Sequence, residues 1–286
     1  MKKCLLLLTA LLIFSKLSAQ QKVGLWKDVP TMKTEKAILH VYEPADSLRT
    51  GVSIIVCPGG SYAHLAGIAW EGFNVAKWLK NQGISAFVLQ YRTNNKGYNH
   101  PAMIQDVQRA IQWVKEHSAQ YQIDTGKVGV MGFSAGGHLS LMAGIFYDEN
   151  YLQELTPTTV SLKPAFVVSA YPVVSMQDDL AHFRSRKSLL GKQYTKEMQD
   201  KFSMEKQIFS AMPPVFLMTT KDDPVVKYEN SALLAGALQE AGVDHQFLLY
   251  DMGGHGFGMN AKRSGEASAW NLVFKDWLMK IGILKY

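Results

Sequence analysis

The fold is best inferred from ten consecutive residues, Val128-Gly129-Val130-Met131-Gly132-Phe133-Ser134-Ala135-Gly136-Gly137. The first four form an apolar run that predicts a buried strand, and the apolar residues after Gly137 predict a helix. Between them lies a G-x-S-x-G motif, in the strand–turn–helix context in which this motif carries a nucleophile. Glycines two residues before and after the serine let neighbouring backbone pass the turn without a Cβ clash. The motif therefore predicts that Ser134 is a nucleophile at the end of a strand.

Short apolar strands alternate with amphipathic helices along the chain. The predicted strands are 52–57, 84–90, 128–131, 165–170, 215–219 and 245–250. The predicted helices, besides the one after Ser134, are 72–82, 103–117, 228–241 and 266–281. Runs that are apolar throughout are typical of strands buried on both faces, and this alternation predicts a mostly parallel sheet covered by helices on both faces. We therefore expect an α/β fold, built as one large domain.

The first nineteen residues have the pattern of a secretory signal peptide. Two lysines precede an apolar run over 4–14, and Ser18 and Ala19 supply the small residues of a cleavage site. An apolar run of about eleven residues is shorter than the roughly 20 that cross a bilayer, which argues against the alternative of a retained membrane anchor. We expect cleavage near Ala19, a single domain over 20–286, and a periplasmic or secreted location.

Loss of residues 1–19 would change the charge and the cysteine count. The formal charge would fall from +6 to +3, because Lys2, Lys3 and Lys16 leave and 27 basic residues remain against 24 acidic ones. No basic block with interleaved aromatic residues remains, so nucleic-acid binding is not expected. Cys57 would be the only cysteine left, which excludes an intramolecular disulfide, and its apolar strand predicts a buried thiol.

A serine nucleophile needs a histidine that takes its proton and a carboxylate that holds this histidine. Of the eight histidines, His255 alone follows a late strand within a glycine-rich loop, Gly253–Gly258. Such a loop can bring the imidazole to the carboxyl edge of the sheet, so His255 is the predicted base. His138 lies one helical turn after Ser134 and is expected to pack against the turn.

Two adjacent acids follow the predicted strand 215–219 and would lie at the same edge of the sheet. We expect Asp222 to orient His255. In the usual arrangement the acid is followed three residues later by an apolar residue that starts the return of the chain, and Val225 has this position relative to Asp222. Asp223 is the alternative.

The tetrahedral intermediate of acyl transfer needs backbone N–H donors for its oxyanion. Pro58-Gly59-Gly60-Ser61-Tyr62 is a glycine-bearing turn that follows an early strand. We expect the amides of Gly60 and Ser61 to form the oxyanion hole together with the amide of Ala135, directly after Ser134.

The stretch 175–212 interrupts the alternation of strands and helices. It is polar, charged and weakly helical, and it is predicted either as an ordinary crossover or as a small cap insertion over the site. Its cations would then contact sugar hydroxyls or an acidic sugar, unless they are solvated surface charges. The candidate substrate contacts are Tyr62, His64, Arg184 and Arg186.

Together these residues resemble the secreted bacterial α/β-hydrolase esterases related to acetylxylan and feruloyl esterases, which are cousins of the hormone-sensitive lipase group. The order serine, acid, histidine is that of α/β-hydrolases. The resemblance covers nearly all of the chain after residue 19 and rests on these motifs: Pro58-Gly59-Gly60-Ser61-Tyr62, Glu71-Gly72, Trp78-Leu79, Tyr91-Arg92, Gly132-Phe133-Ser134-Ala135-Gly136-Gly137-His138-Leu139, Ser185-Arg186, Leu189-Leu190-Gly191, Asp222-Asp223-Pro224-Val225-Val226, Glu229-Asn230-Ser231 and Gly253-Gly254-His255-Gly256-Phe257-Gly258.

This resemblance implies an α/β-hydrolase fold and hydrolysis of short acyl esters, often acetyl groups on plant polysaccharide fragments, without metal or organic cofactor. The motifs of zinc, phosphate-loop and dinucleotide sites do not occur in the sequence. The chain departs from the family at Ser61, where a third glycine is common, and at Pro58, where the lipase cousins have histidine. Two other functions stay open: a serine peptidase like prolyl oligopeptidase, which normally carries a large extra domain, and a non-catalytic carbohydrate-binding relative, which usually lacks a triad residue.

Overall fold

The computed structural model describes residues 21–285, so the predicted signal peptide at 1–19 lies outside the described residues. The strands are β1 (Gln21–Gly24), β2 (Ile38–Tyr42), β3 (Ser53–Cys57), β4 (Ser85–Gln90), β5 (Val128–Phe133), β6 (Val167–Ala170), β7 (Val215–Thr220) and β8 (His245–Tyr250). The α-helices are α1 (Asn74–Asn81), α2 (Ala102–Glu116), α3 (Ser118–Tyr121), α4 (Ala135–Ile145), α5 (Phe183–Leu190), α6 (Lys196–Lys201), α7 (Glu229–Glu240), α8 (Ala261–Ser264) and α9 (Trp270–Lys280). Between residues 21 and 285, no helix is long and apolar enough to span a bilayer.

The eight strands form one sheet in the order β1-β2-β4-β3-β5-β6-β7-β8. β2 is antiparallel to both β1 and β4, and the six strands β4, β3, β5, β6, β7 and β8 are parallel to one another. The expected mostly parallel sheet is therefore confirmed, and this is the α/β-hydrolase fold. All six predicted strands are present, whereas β1 and β2 were not predicted. These two strands lie at one end of the sheet and pair antiparallel, so they lack the fully apolar pattern that identified the others.

Helices cover both faces of the sheet, as expected. Alternate residues of β3 point to opposite faces, so Ile54 and Val56 pack with α1 and α9, while Ile55 and Cys57 pack with α2, α4 and α7. Cys57 is a buried free thiol, and its burial raises the pKa of that thiol. Because the parallel strands run in one direction, the loops that follow β3, β5, β6, β7 and β8 meet at a single edge of the sheet.

The stretch 175–212 folds as α5, α6 and a 3-10 turn, Met204–Lys206. Its buried apolar side chains join the same core cluster as α4 and α7. The side-chain oxygen of Asn230, in α7, accepts hydrogen bonds from the amides of Val174 and Ser175, which fixes the start of the stretch. The first helix of the stretch places Arg184 at the carboxyl edge of the sheet.

Candidate active site

Ser134 stands at a strained turn between β5 and α4. Its backbone has φ 56° and ψ −121°, a conformation that costs a non-glycine residue free energy and persists only where its surroundings hold it. The Ser134 amide donates a hydrogen bond to the carbonyl oxygen of Ala170 at 2.9 Å. A Cβ on Gly132 would overlap the carbonyl oxygen of Gly136, and a Cβ on Gly136 would overlap that of Cys57. The glycine spacing that predicted the turn is therefore required by the approach of β3 to the first turn of α4.

We expect Gly136→Ala to destabilise the protein by about 3 kcal/mol or more, because the new Cβ would overlap the backbone of Cys57 and Pro58, which cannot move without moving the central strand β3. The matched control is Gly236→Ala in α7, where an added Cβ meets open space within the described part of the chain. That change should stabilise the protein by about 0.5–1 kcal/mol, since alanine loses less backbone entropy. Urea denaturation of both variants measures the two effects. Equal stability of the two variants would contradict the packing argument.

Ser134, His255 and Asp223 form a hydrogen-bonded chain at the carboxyl edge of the sheet. The Ser134 hydroxyl lies 2.9 Å from Nε2 of His255 and donates to it when the imidazole is neutral. Nδ1 of His255 donates to Oδ2 of Asp223 at 2.6 Å. The other oxygen of Asp223 accepts the amides of Val225 at 2.8 Å and Val226 at 2.9 Å. These contacts hold the buried carboxylate in place beneath the imidazole.

The prediction that Asp222 orients His255 is wrong. Asp222 turns to the exposed side of the loop, where its Oδ1 accepts hydrogen bonds from the amides of Gly253 at 3.0 Å and Gly254 at 2.8 Å. These backbone hydrogen bonds, that from Gly254 foremost, lower the pKa of Asp222. The turn that follows directs Asp223 inward instead. Asp222 thus holds the backbone of the loop, and Asp223 contacts the imidazole.

The three amides predicted for the oxyanion hole lie near Ser134, which borders an open cavity. Gly60 and Ser61 line this cavity and have positive φ values of 140° and 59°, and Ala135 begins α4 directly after Ser134. Within residues 21–285 these amides donate no hydrogen bond to another protein group. The amides of Gly60 and Ser61 thus lie at the cavity without a protein partner, and that of Ala135 lies buried next to Ser134.

The buried carboxylate of Glu71 holds the turn after β3 by a hydrogen bond with Gly59. Glu71 is 2% exposed, and its Oε2 accepts the amide of Gly59 at 2.7 Å. Its Oε1 accepts the hydroxyl of Tyr171 at 3.0 Å, and that hydroxyl accepts the amide of Gly258 at 2.9 Å. The Tyr171 ring lies 4.9 Å from the His255 ring, centroid to centroid. Burial raises the pKa of Glu71. One continuous set of hydrogen bonds thus links the turn after β3 to the loop that carries His255.

We expect Tyr171→Phe to lower the free energy of unfolding by about 1–3 kcal/mol, because it leaves the amide of Gly258 and an oxygen of Glu71 without a partner. The control is Tyr250→Phe, which changes a half-buried side chain whose hydroxyl makes no hydrogen bond within the described residues, and it should change stability by less than about 0.5 kcal/mol. Thermal unfolding of the two variants makes the comparison. A Tyr171 variant as stable as its control would show that this hydrogen-bond chain contributes little.

Two of the four candidate substrate contacts line the cavity. His64 and Arg184 border a space of about 630 Å³ together with Ser134 and His255, and one guanidinium nitrogen of Arg184 lies 3.5 Å from Nδ1 of His64. Tyr62 does not line it, and this prediction is wrong. Its buried hydroxyl lies 2.8 Å from Nδ1 of His138, with which it packs beneath the turn.

Arg186 is likewise wrong as a substrate contact. It is buried, its guanidinium donates to the carbonyl oxygen of Met176 at 2.7 Å, and it pairs with Asp178 at 2.6 Å. It also lies over the rings of Phe183 and Tyr194. Arg184 and Arg186 stand two positions apart on a helix and so face different directions, which explains why one reaches the cavity and the other does not.

Three other residues of the cavity were not among the site residues predicted from the sequence, although Glu71 belongs to one of the family motifs. Trp70 and Arg263 both line it, as does Glu71. Glu71 and Trp70 precede a predicted helix at the carboxyl edge, which is a usable signal, whereas nothing in the sequence around Arg263 indicates a site. Among residues 21–285 there is no cluster of three or more histidine, cysteine, aspartate or glutamate side chains arranged to hold a metal ion.

The sheet order and the Ser134–His255–Asp223 chain define an α/β-hydrolase with a serine–histidine–aspartate site. Comparison with known proteins gives the family. The model of the BD-FAE family matches residues 39–238, and the chain belongs to this family.

Curated relatives share part of their length with this chain. It is 33% identical over 205 residues to endo-1,4-beta-xylanase B of Butyrivibrio fibrisolvens, a match that covers 71% of this chain and 32% of the relative. It is 32% identical over 213 residues to the acetylxylan esterase of Xylanibacter ruminicola, covering 73% of this chain and 42% of the relative. The match therefore spans about a third of the first protein and about two fifths of the second.

A solved structure matches over its whole length. The crystal structure of an acetyl ester-xyloside bifunctional hydrolase from Caldicellulosiruptor lactoaceticus superposes with a TM-score of 0.85 at 35% sequence identity. The match covers 95% of this chain and 100% of that one.

Proposed function

We propose that the protein is a serine carboxylesterase that removes short acyl groups, in the first place acetyl groups, from plant polysaccharide fragments such as acetylated xylan oligosaccharides. The observation that carries the proposal is the hydrogen-bonded chain from Ser134 through His255 to Asp223, which borders an open cavity. The substrate class is supported by relatives named acetylxylan esterase and acetyl ester-xyloside hydrolase.

In the proposed reaction, Oγ of Ser134 attacks the ester carbonyl carbon while Nε2 of His255 takes the hydroxyl proton. Asp223 keeps the other imidazole proton on Nδ1 and stabilises the imidazolium that forms. The carbonyl oxygen becomes an oxyanion that accepts hydrogen bonds from the amides of Gly60, Ser61 and Ala135.

Collapse of the intermediate breaks the bond to the leaving sugar oxygen, which takes the proton from His255. A water molecule, deprotonated by His255, then attacks the acyl group on Ser134. The second tetrahedral intermediate releases a carboxylic acid and restores the serine hydroxyl. The sugar hydroxyl and the acid together account for the ester and one water.

The test uses nitrophenyl acetate, butyrate and octanoate, followed by acetate release from acetylated xylo-oligosaccharides. We expect turnover to fall with acyl length and acetate to be released from the oligosaccharides. The Ser134→Ala variant serves as the blank. A folded protein that hydrolyses no ester would overturn the proposal and favour the alternative of a peptidase or of a carbohydrate-binding protein.

Two further features belong to the proposal. Residues 1–19 would direct export, with cleavage near Ala19, on the strength of their lysines, apolar run and small residues. The stretch 175–212 would act as a small cap, because it contributes Arg184 to the cavity that contains Ser134.

A further inference from the structure

The arginines of this chain divide into two groups. Of the six, four form ion pairs with carboxylates within residues 21–285: Arg49 with Glu43, Arg92 with Glu35, Arg109 with Asp28 and Arg186 with Asp178. The other two, Arg184 and Arg263, form no ion pair with any described residue. Both line the cavity that contains Ser134, and both are exposed. The unpaired arginines are therefore concentrated at the candidate active site.

The accessible charge of this cavity is positive. Glu71 is the one carboxylate among its described lining residues, and it is buried with both oxygens hydrogen-bonded, to Gly59 and Tyr171. Arg263 acts on this carboxylate through space, but no ion pair forms between the two side chains, so the exposed charged groups of the cavity are the two guanidinium groups. Arg184 comes from α5 and Arg263 from α8, two segments far apart in the sequence, so the two charges converge through the fold.

We propose that the substrate carries a carboxylate on its sugar portion, as an acylated oligosaccharide with a uronic acid residue does, and that Arg184 and Arg263 bind it. This inference rests on the esterase function proposed above. A guanidinium binds a carboxylate through two parallel charge-assisted hydrogen bonds, which gives both affinity and orientation.

The position of the two arginines places this carboxylate on the sugar and not on the acyl group. The reacting carbonyl must reach Ser134, which is only 6% exposed, whereas both arginines are exposed residues. Trp70, 42% exposed, lines the same cavity and offers an apolar face for a sugar ring. The outer part of the cavity therefore fits the leaving saccharide and its charge.

The test compares acetylated xylo-oligosaccharides that carry a uronic acid branch with the same oligosaccharides without it. We expect kcat/KM to be about tenfold higher for the acidic substrate, mainly through a lower KM, because one charge-assisted contact contributes about this much. In the Arg184→Gln/Arg263→Gln double variant, the ratio of kcat/KM for the acidic oligosaccharide to kcat/KM for the neutral one should fall to about one. Raising NaCl from about 0.05 to 0.5 M should also lower the wild-type ratio, since salt screens exposed charges.

The control is Lys80→Gln, which removes one positive charge from the last turn of α1, next to the start of β4 and so at the opposite edge of the sheet. It should leave the ratio unchanged. A wild-type ratio near one, or a high ratio that survives the double variant, would overturn the inference. The inference would also be overturned if the protein preferred nitrophenyl hydrogen succinate to nitrophenyl butyrate and showed no preference between the oligosaccharides. The carboxylate would then belong to the acyl group.

These outcomes can be separated from failure of the esterase proposal. Hydrolysis of nitrophenyl acetate by the wild-type protein tests the esterase reaction alone, since this ester has no carboxylate and no sugar. Turnover of this ester with a ratio near one overturns the acidic substrate and leaves the esterase. Absence of turnover on every ester overturns both.

Discussion

Ser134→Ala should lower kcat for nitrophenyl acetate by at least about 10⁴-fold while the protein stays folded. The loss is expected because the change removes the atom that forms the acyl-enzyme, and the remaining groups of such a site retain only a small part of the rate enhancement. The fold should survive, because alanine keeps the Cβ, and the Ser134 amide still donates to Ala170. Initial rates, together with circular dichroism and thermal unfolding, measure the effect.

The control for this experiment is Ser47→Ala. Ser47 is exposed in the 3-10 turn Asp46–Leu48, which precedes β3 and so lies toward the opposite edge of the sheet. Its removal should change neither rate nor stability beyond error. A Ser134→Ala protein that keeps wild-type turnover would exclude Ser134 as the nucleophile.

Asp223→Asn should lower kcat by about 10⁴-fold, whereas Asp222→Asn should lower it by less than about tenfold. At position 223 the oxygen that accepts the amides of Val225 and Val226 must stay an oxygen, so the new NH₂ group faces His255. It would donate to Nδ1 and force the imidazole proton onto Nε2. In that tautomer the imidazole cannot accept the Ser134 proton.

Asp222→Asn provides the matched control, since it makes the same chemical change one residue away. Its amide oxygen, in the position of Oδ1, can still accept the amides of Gly253 and Gly254, so the change removes the charge and only the longer contact of Gly253 with Oδ2 at 3.2 Å. Steady-state kinetics of the two variants decide between the acids. A larger loss for Asp222→Asn than for Asp223→Asn would contradict the observed contacts.

The features that could be predicted from the sequence depend on local geometry. Ser134 could be predicted as the nucleophile because the turn that carries it spans only a few residues and requires the glycines at 132 and 136. His255 was found because a glycine-rich loop follows the last strand. The six central strands were found because burial on both faces makes them apolar throughout.

The features that could not be predicted depend on contacts between distant segments. Asp222 and Asp223 are adjacent acids, and which of them faces inward is decided by the turn that follows, not by residue type. Arg184 and Arg186 are chemically identical, and the placement of α5 against the core decides which of them faces the cavity; Arg186 faces away and pairs with Asp178. Glu71 and Tyr171 meet although 100 residues separate them, and no local pattern indicates that pair.

The hydrogen bonds from Gly258 through Tyr171 and Glu71 to Gly59 also govern how the site moves. The amides at the two ends belong to different loops, yet neither can be released without breaking the same chain. Opening of the turn after β3 would remove a hydrogen bond from the buried carboxylate of Glu71, and opening of the other loop would remove one from the buried hydroxyl of Tyr171, so both are unfavourable. In amide hydrogen exchange, Gly59 and Gly258 should behave as members of one cooperative unit. We therefore expect the turn after β3 and the loop that carries His255 to open together.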